Sequence, residues 1–149
     1  MILLDTNVIS ELMKGQPDLR VRDWLDRRTG DGLFVSAITQ AEIGLGIALL
    51  PDGKRREALT LAAAAMFTEE FAEANLPFDQ GAAAHYATLV AYRTRIGRPI
   101  STEDAQIAAI ALDHGMALAT RNLRDFEEIA GITLFSPWVP PVGTLIPPR

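Results

Sequence analysis

Short apolar runs alternate with longer amphipathic stretches along this chain, and the two patterns predict two kinds of element. Residues 2–4 form a continuous apolar run that breaks at the polar triplet Asp5-Thr6-Asn7. A run apolar at every position suits a strand buried on both faces of a parallel sheet. Similar runs predict strands at 33–35, 116–119 and 132–135, with a minor one at Pro77-Phe78. The stretches between them predict helices over 8–13, 18–28, 38–50, 54–75, 79–96, 102–114 and 123–130. Breakers mark their ends: Gly15 with Pro17, Gly30, Pro51-Asp52-Gly53, Gly97 with Pro99, Gly115 and Gly131.

Strands alternating with helices predict an α/β fold, a three-layer α/β/α domain with a short, mostly parallel central sheet. In such sheets ligands bind beyond the carboxyl ends of the strands. Asp5, Ser36 and Thr120-Arg121-Asn122 all follow predicted strands, so one edge of the sheet collects polar residues. Residues 1–135 are expected to form this domain. Residues 136–149 hold five of the nine prolines, together with Trp138, and are expected to be an extended tail.

Composition narrows the chemistry. A chain of 149 residues, 48% apolar, fits one domain with a sizeable core. Cysteine is absent, which excludes disulfides and thiolate metal sites, and only His85 and His114 could supply imidazole. A metal would therefore be a hard cation on oxygen ligands. The first apolar run is too short for a signal peptide, and no stretch approaches the roughly 18 apolar residues of a membrane span. A cytoplasmic protein without a membrane partner is the expectation. The net charge of −5 argues against a nucleic-acid partner, since phosphate binding needs a basic face. Carboxylates gathered in a metal site would inflate that count. Basic residues do cluster, at 20–28, 54–56, 93–98 and 121–124, although each cluster also fits an ordinary solvated helix face.

Four places could carry chemistry, and each has a plain alternative. Asp5, directly after a buried strand, is either a metal ligand at the base of a cleft or the N-cap of the next helix. Glu42 completes Thr39-x-x-Glu42, and Asp104 completes Ser101-x-x-Asp104; both match a capping box. The same helix starts would also point carboxylates at the strand ends. Glu103 competes with Asp104, but lies about 100° around the helix. Asn122 and Asp125 are turn residues, or groups reaching the same edge. Taken together, these positions crowd carboxylates, and like charges so placed need cations to persist. Mg²⁺ or Mn²⁺ would meet that need and would assist phosphodiester cleavage.

The ordered blocks Leu4-Asp5-Thr6-Asn7, Thr39-x-x-Glu42, Thr102-Glu103-Asp104-Ala-x-Ile107-Ala108 and Ala119-Thr120-Arg121-Asn122-x-x-Asp125-Phe126 resemble the PIN-domain family. The likeness is strongest to the VapC/FitB-type toxins of bacterial toxin–antitoxin pairs, and it runs from Met1 to about Phe135. The resemblance implies a Mg²⁺- or Mn²⁺-dependent endoribonuclease, neutralised by a small antitoxin that also binds DNA. By matched position it implies Asp5, Glu42 and Asp104 as metal ligands, with Asp125 a fourth catalytic acid. Thr6, Asn7, Thr120 and Asn122 would shape the pocket. Many members of the wider family carry an acid where this chain has Asn122; FitB-like members share the asparagine. The family also implies homodimers, or dimers of toxin–antitoxin heterodimers. Arg121 and Arg124 flank the implied site and are candidates for contacting RNA or an antitoxin.

Three readings follow. One is a metal-dependent ribonuclease toxin. The second is a PIN-like partner of an antitoxin on DNA, acting in transcriptional regulation with weak or no catalysis, towards which the net charge and Asn122 lean. The third is a metal-dependent phosphatase or flap-type nuclease.

Overall fold

The computed structural model describes residues 1–139. Five strands form one sheet in the order β3-β2-β1-β4-β5. They are β1 (Ile2–Leu4), β2 (Leu33–Ser36), β3 (Asn75–Leu76), β4 (Ala117–Ala119) and β5 (Leu134–Phe135). All four pairings are parallel, so the sheet is wholly rather than mostly parallel. The helices are α1 (Thr6–Leu12), α2 (Leu19–Asp26), α3 (Ala37–Ala48), α4 (Lys54–Ala64), α5 (Gln80–Arg95), α6 (Thr102–Asp113) and α7 (Leu123–Phe126).

Alternation within the strands builds two cores, one on each face. Ile2, Leu4, Val35 and Ala119 point to the side covered by α1 to α4, where they meet Val8, Ile9, Val21, Ile43 and Phe67. Leu3 and Leu118 point the other way, onto the apolar faces of α5 and α6. With both faces covered, every residue of β1 is buried, which is why its sequence is apolar throughout. These are the three layers expected.

Three predicted boundaries are overturned. The alanine-rich helix expected to reach Asn75 ends α-helical at Ala64 and closes with a π-helical stretch, Ala65–Glu70. The Phe71 amide donates to Met66 O, a spacing of five residues, and the chain then leaves the helix. The minor strand lies at Asn75–Leu76 rather than Pro77-Phe78. The sheet captures the chain early: Val35 N donates to Ala74 O at 2.9 Å. Pro77 has no amide hydrogen and cannot extend the ladder. The helix expected over 123–130 stops at Phe126, with Glu127 extended.

The tail is not wholly extended. Trp138 is buried in the core on the α1–α4 side, with Phe135 packed against the same cluster. The tail from 140 onward lies outside the described residues.

The topology places the site. Beside β1 the strand order reverses: the chain winds outward through β2 and β3, then returns across the sheet to β4 and β5. A crevice opens beyond the carboxyl ends of the strands at such a switch. Asp5 leaves β1 at that point, and its amide is bonded to Ala119 O at 2.9 Å. The neighbouring strand β4 is delivered directly from α6. Gly115, at φ 63°, turns the chain, while Met116 N reaches back to Ala111 O and Gly115 N to Leu112 O. This is a Schellman closure, which needs a residue tolerant of left-handed backbone.

Candidate acidic active site

A cleft of about 380 Å³ opens at the switch point, lined by Asp5, Thr6, Asn7, Ser10, Glu11, Lys14, Glu42, Asp104, Arg121 and Asn122. A larger hollow of about 690 Å³ lies elsewhere, lined by His85, Leu89, Tyr92, Leu112 and Ile129 among others. Its lining is mostly apolar, so the acidic cleft is the better candidate for chemistry.

Asp5 unites its two alternatives. It is the N-cap of α1, with Oδ1 accepting from Thr6 N at 2.8 Å. Its Oδ2 accepts from Thr120 Oγ1 at 2.7 Å and from Asn7 Nδ2 at 3.2 Å. Only 3% of the residue is exposed. Burial pushes its carboxyl up to about 6, against the hydrogen bonds from Thr120 and Thr6, and the nearby Asp104 and Glu42 carboxylates push the same way.

Glu42 lies in the second turn of α3, and the cap it was matched to belongs to another residue. Ser36 is the N-cap, its Oγ accepting from Thr39 N at 3.2 Å. This frees Glu42 from the backbone. Its Oε1 accepts from Thr6 Oγ1 at 2.7 Å. The single Thr6 hydroxyl hydrogen is thereby used, so in the 3.0 Å contact between Thr6 and Thr39 the Thr39 hydroxyl donates. A chain from Thr39 through Thr6 thus fixes Glu42 in the cleft.

Asp104 does lie in the first turn of α6, where its amide donates to the N-cap Ser101 Oγ at 3.2 Å. Its carboxylate also lines the cleft. Burial raises its pKa, opposed by Ser101, and Asp125, Glu42 and Glu103 raise it further. Asp125 shares a smaller hollow with Asp104, Ser101 and Arg93, joined to the main cleft through Asp104. The four acids are therefore electrostatically linked, Asp5, Glu42 and Asp104 in the cleft and Asp125 beside Asp104.

Thr120 and Asn7 brace this arrangement. Thr120 Oγ1 accepts from Asn122 N at 3.1 Å, and Asn7 Oδ1 accepts from Arg121 N at 3.1 Å. Arg121 lines the cleft, and its guanidinium lies over the Trp138 ring, 5.1 Å from the centroid. Arg124 is exposed and is not among the cleft residues.

The structure adds residues that the sequence reading passed over. Ser10 and Glu11 also line the cleft from α1, and Lys14 from the loop that follows it. Glu11 is held below the usual carboxylate range by Lys14, 2.7 Å away, and by the Asp18 amide. The spacing Asn7, Ser10, Glu11 marks one helix face and could have pointed to Ser10 and Glu11, with Lys14 following as the ion-pair partner of Glu11.

The donor set suits a hard cation: it is all oxygen, negatively charged and partly desolvated. Among the described residues, no three His, Asp or Glu side chains are gathered so as to hold an ion by themselves. An ion that keeps several of its own waters, as Mg²⁺ does, fits this arrangement. Also among the described residues, no helix is long and apolar enough to cross a membrane.

Known proteins share the fold of this chain. A family profile described as "PIN domain" matches residues 2–132. The chain is 43% identical over 140 residues to VapC ribonuclease Y4jK of Sinorhizobium fredii, covering 94% of this chain and 99% of that one. It is 43% identical over 138 residues to Toxin FitB of Neisseria gonorrhoeae, covering 93% and 99%. A solved structure, FitAB bound to a DNA fragment, superposes with a TM-score of 0.84 at 43% identity, covering 94% of this chain and 97% of the other. The α/β/α layers, the acidic cleft at the strand switch and these matches together make the chain a member of the PIN-domain family, with VapC and FitB toxins as its homologues.

Proposed function

We propose that this protein is a divalent-metal-dependent endoribonuclease toxin that cleaves RNA in the cytoplasm and is neutralised by a cognate antitoxin. The observation that carries the reading is Asp5: a buried carboxylate with a raised pKa, facing two further acids at the strand switch. Such a group is costly in a cleft unless a cation is meant to join it. The relatives' names, a VapC ribonuclease and a toxin, support the RNA substrate and the toxin role.

Asp5, Glu42 and Asp104 would hold Mg²⁺ or Mn²⁺, with Asp125 acting from beside Asp104. When bound, the ion supplies Lewis acidity, polarising water for attack and stabilising the leaving oxygen. The chain's own residues do the positioning. Thr120 and Asn7 hold Asp5 Oδ2, and Thr6 holds Glu42, so the acids keep their geometry without an ion. Arg121, at the rim, would bind an RNA phosphate and set the backbone's register. Asn122 offers a neutral oxygen in place of a further charge. Residues 1–135 would form the catalytic unit.

An antitoxin is the natural competitor for an acidic cleft, since basic side chains could fill it. The solved FitAB complex on DNA supports such a partner and an indirect link to DNA. The assembly would be a homodimer of this chain, or a dimer of toxin–antitoxin heterodimers.

The test is cleavage of RNA by purified protein with Mg²⁺ or Mn²⁺. Cleavage should stop with chelator and in Asp5→Asn, whose fold is checked by circular dichroism. Full activity in Asp5→Asn, with contaminating nuclease excluded, would sink the reading. A protein that takes up no divalent ion in calorimetry would favour the regulatory DNA-complex role instead.

A further inference from the structure

Arg93 is the least expected residue of the far core. It lies on α5, only 3% exposed, yet carries a full charge. Buried charges are normally paired. Among the described residues Arg93 makes no ion pair, and its guanidinium donates to three backbone carbonyls instead. Nε reaches Arg98 O at 2.6 Å, and Nη1 is shared between Asp125 O and Glu127 O, each at 2.9 Å.

Burial of Phe126 anchors the clamped segment, and Arg98 donates to Arg124 O at 3.4 Å and pairs with Glu127 at 3.6 Å, but the segment's own regular structure is slight. Helix α7 is only four residues long, its N-cap Asn122 makes no side-chain cap bond, and Glu127 leaves it extended. Glu128 takes a left-handed φ of 59°, the one non-glycine residue to do so among the described residues. Glutamate has no local preference for that conformation, so tertiary contacts must impose it. Arg93 grips the chain just before this turn, at Asp125 O and Glu127 O, and it borders the hollow shared by Asp104 and Asp125.

We propose that Arg93 is a positioning residue for the acidic site: its clamp fixes the Asp125 turn against Asp104 and so sets the site's affinity for a divalent cation. The proposal rests on the reading of the cleft as a cation site. An aliphatic or amide side chain of similar length cannot serve three carbonyls at once, and the Asp125 carboxylate would lose its register with Asp104. Outer partners that orient ligating carboxylates change metal affinity by about tenfold to a hundredfold when removed.

The experiment is Mn²⁺ titration calorimetry on the full chain, as wild type, Arg93→Gln, Arg93→Lys, Asp125→Asn and the Arg93→Gln/Asp125→Asn double variant. Circular dichroism melts confirm folding. Arg93→Gln should weaken Mn²⁺ binding by about tenfold. Arg93→Lys should recover part of that loss, since an ammonium can still donate to two carbonyls. The double variant should bind as Asp125→Asn does, because the clamp acts through that residue. Wild-type affinity in folded Arg93→Gln would overturn the proposal. So would wild-type affinity in Asp125→Asn, or an Arg93→Gln loss that is undiminished in the Asp125→Asn background. If Arg93→Gln does not fold, Arg93→Lys carries the same cycle with a smaller expected loss of about threefold, and unchanged affinity there overturns the proposal. RNA cleavage is read separately. A wild type that binds Mn²⁺ without cleaving RNA refutes the ribonuclease reading, and leaves Arg93 to be judged on the affinities. A wild type with no Mn²⁺ site overturns the Arg93 proposal as well.

Discussion

Replacing Asp5 with asparagine should stabilise the metal-free protein near neutral pH, by an amount that grows with pH. In the folded chain the Asp5 carboxyl titrates at about 6, against 3.8 ordinarily. Because the folded value is raised, the native state favours the proton. Its contribution to stability is complete below 3.8 and is lost as the pH rises through about 6. Above that, the ionised buried carboxylate costs on the order of 3 kcal/mol. Asparagine removes this cost and keeps one cap bond, since its Oδ1 can still accept from Thr6 N. Its amide nitrogen, however, would face Thr120 Oγ1 and Asn7 Nδ2, both of which now donate to Asp5. Losing those bonds costs about 1–2 kcal/mol. The net gain near pH 8 is therefore about 1–2 kcal/mol, or several degrees in Tm. Between about pH 8 and pH 5 the advantage should shrink by about 1.5 kcal/mol, as wild type regains its proton. The assay is urea unfolding with chelator present, followed by circular dichroism at several pH values. Equal stability differences across that pH range, or a variant less stable than wild type near pH 8, would refute the electrostatic reasoning. Adding Mn²⁺ should stabilise wild type and leave Asp5→Asn largely unchanged.

Substitutions at Gly81, Arg121 and Arg124 probe the frame and the surroundings of the cleft. A methyl group at Gly81 would overlap the Asp113 carboxylate, where α5 packs on α6. The partly exposed Asp113 side chain can swing aside, so Gly81→Ala should cost no more than about 1 kcal/mol in thermal unfolding; in an Asp113→Ala background, it should instead be neutral or stabilise by up to about 1 kcal/mol. Arg121→Ala should weaken RNA binding and reduce its salt dependence by about one phosphate contact, while Arg124→Ala, outside the cleft, should change it less. Fluorescence anisotropy with a short RNA across a salt series checks both, and equal effects would remove Arg121's special place.

Seven of the residues lining the acidic cleft stood out in the sequence before their geometry was known, while Ser10, Glu11 and Lys14 did not. Asp5, Glu42 and Asp104 follow strands or begin helices, and a parallel sheet brings such positions to one edge whatever the side chains do. The ordered blocks also marked Thr6, Asn7, Thr120 and Asn122. Local pattern could not say which carboxylates were committed to backbone caps. Thr39-x-x-Glu42 matches a capping box, yet Ser36 caps α3 and leaves Glu42 to Thr6. Asp5 is a cap and a cleft residue at once, because its two oxygens face different partners.

By itself the sequence determined the elements whose periodicity is strong, the apolar β1 and the long helices, and hence the layered α/β class. Spacing along one chain encodes which face of an element is apolar. It does not encode which distant backbone will compete for a residue. The sheet's pull on Ala74 to Leu76, against the continuation of an alanine-rich helix, was decided by pairing with β2, nearly forty residues away in sequence. The burial of Trp138 in a proline-rich tail was decided by the core it joins, built from residues such as Val21 and Ile43 far earlier in the chain. Arg93 read as one arginine in a basic run; only the packing of α5 under the Asp125 turn made it a buried clamp. In each case the deciding partner is remote in sequence, and only folding brings it within hydrogen-bonding or packing distance.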